Sequence, residues 1–255
     1  MSRKIKTKKN LKKNRNKKKV NNFQIMFENK LSELEKKIGF EFKNKDLLLA
    51  ALTHRSYLNE NPKWGQDHNE RLEFLGDAVL ELVVTEYLYT NYPNPEGEMT
   101  NWRAALVNAV MLARIATEFD LNDHILLSKG EARDTGRARQ YILANAMESL
   151  IGAIYLDQGY DSSKKFIDKF ILKELPGIID NQLYRDAKSL FQEKAQEKVG
   201  ITPTYEVLKE WGPDHARNFQ VGVFLEKEMV GVGEGPSKQE AQQVAASDAL
   251  KKKGW

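Results

Sequence analysis

From Phe23 to about residue 179, apolar residues recur at three- and four-residue spacing, which predicts helices throughout. Turn signals interrupt that pattern at Asn61-Pro62, at Tyr92-Pro93-Asn94-Pro95-Glu96-Gly97 and at Asp134-Thr135-Gly136. The stretch 175–184, with Pro176-Gly177 and several polar residues, is the best candidate for a linker, with 180–184 at its heart. Beyond it the periodicity changes. A short helix over 186–199 precedes three runs with strand-like spacing and composition, 205–211, 219–225 and 229–233. A last helix over 238–252 follows, with Ser237 as its N-cap and Ala241, Val244, Ala245, Ala249 and Leu250 as its apolar face. The expectation is an all-α domain over 23–179 followed by a small α+β domain over 185–255 in the order α-β-β-β-α. No internal repeat is present.

Composition narrows the classes. With no cysteine among 255 residues, disulfides and thiolate metal sites are excluded, and a metal must use oxygen or histidine ligands. No window approaches the roughly 18 unbroken apolar residues of a membrane span, and no apolar leader opens the chain. The chain reads as soluble and cytoplasmic, with no membrane partner. Its net charge of +4 conceals an asymmetry: residues 1–22 carry eleven Lys or Arg and no acid, and the remainder holds 29 basic and 36 acidic residues, a net of −7. The tail 1–22 reads as a disordered, solubilising segment, with a loose nucleic-acid-binding arm as the other reading.

The most informative segment is Asn69-Glu70-Arg71-Leu72-Glu73-Phe74-Leu75-Gly76-Asp77-Ala78-Val79. At about 100° per residue, Glu70, Glu73 and Asp77 fall within about 60° of one another on a helix. Leu80, Val84 and Leu88 continue beside that face, while Leu72, Leu75, Val79 and Val83 line the opposite one, so the helix reads as largely buried. A second helix, 141–156, has only Asn145, Glu148 and Ser149 as strongly polar positions. Asn145 and Glu148 share a face with Gly152, where a neighbouring helix could approach closely. An ionised Glu148 there costs several kcal/mol unless it is paired, and the natural partner is a cation. Packing the two helices would converge Glu73, Asp77, Asn145 and Glu148 into an all-oxygen set suited to Mg²⁺ or Mn²⁺. Such a set serves a structural cation as well as a catalytic one, and its spacing specifies no substrate. His54, His68, His124 and His215 are scattered along the sequence, and no Ser, Cys or His nucleophile constellation is visible.

At these residues the sequence resembles bacterial ribonuclease III. The likeness includes the run 69–79, Leu52-Thr53-His54-Arg55-Ser56, Pro95-Glu96-Gly97-Glu98-Met99, Arg103-Ala104-Ala105-Leu106-Val107 and Ile142-Leu143-Ala144-Asn145-Ala146-Met147-Glu148. The resemblance implies a homodimeric, Mg²⁺-dependent endonuclease acting on double-stranded RNA, with Mn²⁺ able to substitute. The products carry 5′-phosphate and 3′-hydroxyl ends with a short 3′ overhang, and rRNA and other structured precursors are the expected substrates. Matched position by position, Glu73, Asp77, Asn145 and Glu148 form the metal set, with Asp77 and Glu148 the catalytic pair. Glu70 and Glu96 match two supporting acids, and Phe74 matches an aromatic residue packed across the subunit contact. Asn145 stands where Asp is frequent, which removes one negative charge. The C-terminal unit resembles the double-stranded-RNA-binding domain. Its eleven basic and eleven acidic residues give no bulk attraction, so placement must carry recognition. The resemblance places Gln192 and Glu193 at one minor groove, His215 at the next and Lys238 at the intervening phosphates. The competing readings are a catalytically silent RNA-binding or ribosome-associated protein, and a Mg²⁺-dependent nucleotide hydrolase that would leave this module unexplained.

Overall fold

A computed structural model describes residues 29–133, 135–182, 184, 186–213 and 217–255. The basic tail lies outside them. The chain divides between Ile178 and Ile179 into two compact units.

The first unit is helical. Helix α1 covers residues 29–38, and α2 (Lys45–Ala51), α3 (Arg55–Glu60), α4 (Glu70–Asn91), α5 (Glu96–Val107), α6 (Ala109–Thr117), α7 (Arg137–Gln158), α8 (Tyr160–Phe170) and α9 (Leu175–Asp180) follow. Local chemistry sets several starts. Asn44 caps α2 by accepting from the Asp46 amide at 3.0 Å, and Asn108 caps α6 by accepting from the Met111 amide at 2.9 Å. Helix α7 is apolar over most of its middle turns, Asn145 and Glu148 apart, and its Ala146, Met147, Leu150, Ile151 and Ile154 are fully enclosed. Leu80, Val83 and Val84 of α4 and Leu112 and Ile115 of α6 pack around it. Truncating any one of these Leu or Ile side chains to Ala would cost about 2–5 kcal/mol.

Two expectations need correction. Residues 175–180 are a helix rather than linker: Pro176 falls in its first turn, where a missing amide loses no helical bond, and Leu175 and Ile178 are buried. Helix α4 is less buried than its two apolar stripes suggested, because a third side stays open to solvent. Both apolar stripes read from the sequence are covered, with Leu72, Val79, Val83, Leu80, Val84 and Leu88 buried, whereas Phe74 is 82% exposed, Leu82 58% and Tyr89 81% on the remaining side.

The second unit places a three-stranded antiparallel sheet, order β1-β2-β3, against two helices. Its elements are α10 (Ala187–Val199), β1 (Thr204–Trp211), β2 (Asn218–Leu225), β3 (Glu228–Gly235) and α11 (Lys238–Lys253). Val221, Val223 and Leu225 alternate inward along β2, as a half-buried strand requires. Two close approaches lock α11 onto β3. A Cβ on Gly231 would stand 2.4 Å from the Ala245 carbonyl oxygen, and one on Gly233 would stand 2.2 Å from the Ala245 amide nitrogen. The helix therefore turns its small residues Ala241, Ala245, Ala246 and Ala249 to the sheet and leaves Val244, assigned to the apolar face from sequence, exposed. Ser237 accepts from the Glu240 amide at 3.2 Å, the cap expected of it.

Candidate active site

Helices α4 and α7 cross at two glycines. A Cβ on Gly76 would lie 1.8 Å from the Glu148 carbonyl oxygen, and one on Gly152 would lie 2.2 Å from the Leu72 carbonyl oxygen. No side chain fits at either point, so the two backbones touch. Gly152 was legible in the sequence as a place of close approach, whereas Gly76 was missed although it stands inside the 69–79 run.

This crossing brings Glu73 and Asp77 of α4 beside Asn145 and Glu148 of α7. Burial pushes the Glu148 carboxyl up to about 7, and the carboxylates of Asp77 and Glu73 add to the effect. Burial also raises Glu73, with help from Glu70 and Asp77, against a hydrogen bond from the Asn145 side-chain amide that favours its ionised form. Asp77 is exposed and Glu73, Asn145 and Glu148 are partly buried. Three carboxyls in mutual repulsion, two of them partly desolvated, carry a deficit that a divalent cation would remove. Every donor is oxygen, the chemistry Mg²⁺ and Mn²⁺ prefer. The donor set thus fits such an ion, although among the described residues no three His, Asp or Glu side chains close into a metal cage.

Glu70 lies one turn before Glu73 and faces Arg55 and His68, each at 3.7 Å. The histidines are less scattered than their sequence positions suggested. His54 and His68 both lie within electrostatic reach of one another and of Glu70, and burial holds His54 below its ordinary value. The Leu52–Ser56 motif organises this edge. A parallel bridge joins Thr53 to Leu126, the Thr53 carbonyl accepts from the Asn69 amide at 2.9 Å, and Ser56 Oγ accepts from the Ser128 amide at 3.1 Å.

Glu96 is not brought to the acidic cluster. It begins α5, accepts from Thr100 Oγ1 at 3.0 Å and lines a hollow with Thr85, Tyr89 and Arg103. Phe74 projects from α4 at the rim of another hollow, whose apolar wall is Leu47, Ala50, Leu72, Leu75 and Leu156. In the second unit, Gln192 and Glu193 are exposed on α10, sharing one face with Ser189 and Gln196. Lys238 opens α11 with its Nζ 5.6 Å from the centre of the Phe219 ring. His215 lies outside the described residues.

A helical domain with an oxygen-donor carboxylate cluster, followed by an α-β-β-β-α module, is the arrangement that the resemblance to ribonuclease III implies. The comparisons with known proteins agree. A family model described as Ribonuclease-III-like matches residues 44–175, and one described as Double-stranded RNA binding motif matches residues 187–253. Ribonuclease 3 of Nitratiruptor sp. is 44% identical over 87% of this chain and 96% of its own, and Ribonuclease 3 of Natranaerobius thermophilus is 48% identical over 86% and 95%. A solved nuclease domain of the Campylobacter jejuni enzyme, described for flexibility in a region involved in dimer formation, is 43% identical with a TM-score of 0.51. It covers 56% of this chain and 97% of its own. The chain belongs to the ribonuclease III family, the double-stranded-RNA endoribonucleases. No helix among the described residues is long and apolar enough to cross a membrane.

Proposed function

We propose that this chain hydrolyses double-stranded RNA with Mg²⁺, or Mn²⁺ in its place, to 5′-phosphate and 3′-hydroxyl ends with a short 3′ overhang. Its working site is Glu73, Asp77, Asn145 and Glu148, with Asp77 and Glu148 the catalytic pair and Glu70 in support. The observation that carries this reading is the Glu148 carboxyl, driven up to about 7 by burial with Asp77 and Glu73 beside it. A partly buried acid so placed gains nothing structurally and becomes useful once a cation neutralises it.

When bound, the divalent cation supplies Lewis-acid polarisation of the scissile phosphate and generates the attacking nucleophile from water. The chain's own residues hold and orient. Glu73, Asp77, Asn145 and Glu148 would hold the cation through their side-chain oxygens, Glu148 as its carboxylate, with Asp77 the most exposed of the four. Asn145 keeps Glu73 in place through its amide N–H, leaving its amide oxygen for the cation.

Cutting both strands at matched positions calls for two such sites related by a dyad. Phe74, almost fully exposed beside an apolar hollow of suitable chemistry, supports a homodimer in which each Phe74 fills the other copy's hollow. Glu96, remote from its own chain's acids, serves that interface. The nuclease domain spans 23–179, residues 180–184 link it to an RNA-binding domain over 185–255, and Gln192, Glu193, His215 and Lys238 grip the duplex. Structured precursors, rRNA among them, in the cytoplasm are the substrates. Incubating the purified chain with long duplex RNA and Mg²⁺ tests the proposal: Glu148→Gln should bind duplex normally and fail to cut it, and equal loss of binding and cutting would reject the role.

A further inference from the structure

Charge is divided unevenly along the chain. Residues 1–22 carry eleven cations and no acid, and residues 185–255 balance at eleven of each, whereas residues 23–184 hold 18 basic and 25 acidic residues, a net of −7. The whole acidic surplus therefore falls in the stretch that directly follows the cationic tail. Elsewhere in the helical domain acids are met by cations: Lys37 takes Glu33 and Asp120 at 2.9 and 3.0 Å, and Lys164 takes Glu86 at 2.9 Å. Along α4 the balance fails. Glu70, Glu73, Asp77 and Glu81 recur at three- and four-residue spacing and form one stripe over three turns, with Glu148 of α7 within electrostatic reach of Glu73 and Asp77. Among the described residues, the basic side chains in contact with these five acids are Arg55 and His68, both on Glu70 and both at 3.7 Å, beyond hydrogen-bonding distance. Glu70, Asp77 and Glu81 are exposed.

The tail joins the domain close to this stripe. Helix α1 begins at residue 29, and Lys30 Nζ donates to the Asp123 carbonyl at 3.2 Å. Three residues further on, Leu126 exchanges hydrogen bonds with Leu52 and His54 at 2.8 and 3.0 Å, and the neighbouring Thr53 carbonyl accepts from the amide of Asn69, which opens the stripe, at 2.9 Å. Followed residue by residue, that path from the start of α1 to Glu73 is at most about 50 Å, whereas 28 residues reach about 90 Å when extended. Tethering keeps the tail's cations near the stripe at any protein concentration. Nine of the eleven are lysines, compact charges on long stems that pair with spaced carboxylates without requiring a fixed fork.

We propose that residues 1–22 lie along the acidic stripe of α4 when neither duplex nor divalent cation is bound, and act as an internal brake that both must displace. The inference rests on the reading of Glu73, Asp77 and Glu148 as the cutting site. The contact joins opposite charges at an exposed surface, so salt screens it, over about 10 Å at 0.1 M. It raises the Mg²⁺ concentration that cleavage requires and adds nothing to duplex affinity.

Zero-length carbodiimide cross-linking of the whole chain, in EDTA at low salt and mapped by mass spectrometry, tests the contact directly. Tail lysines should couple to Glu70, Glu73, Asp77 or Glu81, and either duplex RNA or about 0.5 M KCl should reduce those products by about fivefold or more. Coupling spread over the acids of α1, α6 and α8 as readily as over α4 would overturn the proposal. A full-length chain with the eleven basic residues from Arg3 to Lys19 changed to Gln should need roughly tenfold less Mg²⁺ for half-maximal cleavage at low salt, the scale of a few exposed ion pairs. Should that chain instead bind duplex more weakly in EDTA, with a shallower salt slope and an unchanged Mg²⁺ requirement, the tail is an RNA-binding arm and the brake is rejected. A wild-type chain that forms the α4 cross-links and fails to cut duplex RNA would reject the functional reading alone, whereas cutting without those cross-links rejects only the brake.

Discussion

Gly76 of α4 presses directly on the carbonyl of Glu148 in α7, leaving 1.8 Å where a Cβ would have to stand. The residue that must be absent on one helix thereby sets the position of the acid on the other. Gly76→Ala should gain up to about 1 kcal/mol of helix propensity and lose more through backbone overlap, for a net loss of about 1–3 kcal/mol. Thermal unfolding of the helical domain should register a lower midpoint, and cleavage should fall by at least tenfold as Asp77 and Glu148 separate. A stable, fully active Gly76→Ala protein would show that the crossing does not set the site.

The pH dependence of stability follows from Glu148. Its folded value, about 7, lies above the ordinary 4.5, so between those limits the folded chain binds more protons than the unfolded one. Stability of the metal-free protein should therefore be fullest below about 4.5 on this group's account and decline as pH rises through about 7. Glu148→Gln should flatten that part of the profile, and Mg²⁺ should reverse it by favouring the carboxylate. Melting curves in EDTA across this window, for wild type and variant, provide the check; identical profiles would contradict the assignment.

Much of this was legible in the sequence, for identifiable reasons. The alternation of Val221, Val223 and Leu225 and the cap at Ser237 define β2 and α11 through local rules, and both elements fall within a residue of their expected limits. Glu73 with Asp77, and Asn145 with Glu148, are pairs within single helices, so helical spacing alone sets each pair on one face. Their convergence depends on packing between helices about 70 residues apart, for which Gly152 was the only local sign and the family resemblance the stronger one. Proximity of His54 to His68 depends on the hydrogen bond from the Asn69 amide to the Thr53 carbonyl, a contact no periodicity encodes. Helix α9 escaped because Pro176-Gly177 reads as punctuation until Leu175 and Ile178 find apolar partners.

Asn145 offers a graded test of metal binding. Asn145→Asp adds a negative charge and should lower the Mg²⁺ concentration needed for half-maximal cleavage. Asn145→Ala removes both the amide oxygen and the hydrogen bond that steadies Glu73. It should raise that requirement, with Mn²⁺ restoring activity better than Mg²⁺, the more exacting ion in geometry. Metal titrations of cleavage rate decide the matter. An unchanged requirement in Asn145→Ala would leave Asn145 a packing residue.

The dimer is tested at Phe74. An aromatic anchor leaving an apolar hollow typically costs on the order of 2 kcal/mol or more, about 30-fold in Kd. Phe74→Ala should accordingly shift sedimentation toward monomer at micromolar concentration while leaving the helical content unchanged. Full double-strand cutting by a monomeric Phe74→Ala protein would refute the two-site arrangement.

End analysis of the products tests most directly whether Glu73, Asp77, Asn145 and Glu148 form one cation-dependent site for cutting duplex RNA. With Mg²⁺ the wild-type chain should convert long duplex RNA into short duplexes bearing 5′-phosphates, 3′-hydroxyls and a short 3′ overhang. EDTA, or Glu148→Gln with duplex binding intact, should leave the substrate whole. Cleavage that persists in EDTA or in Glu148→Gln, or products with 5′-hydroxyl ends, would contradict the account.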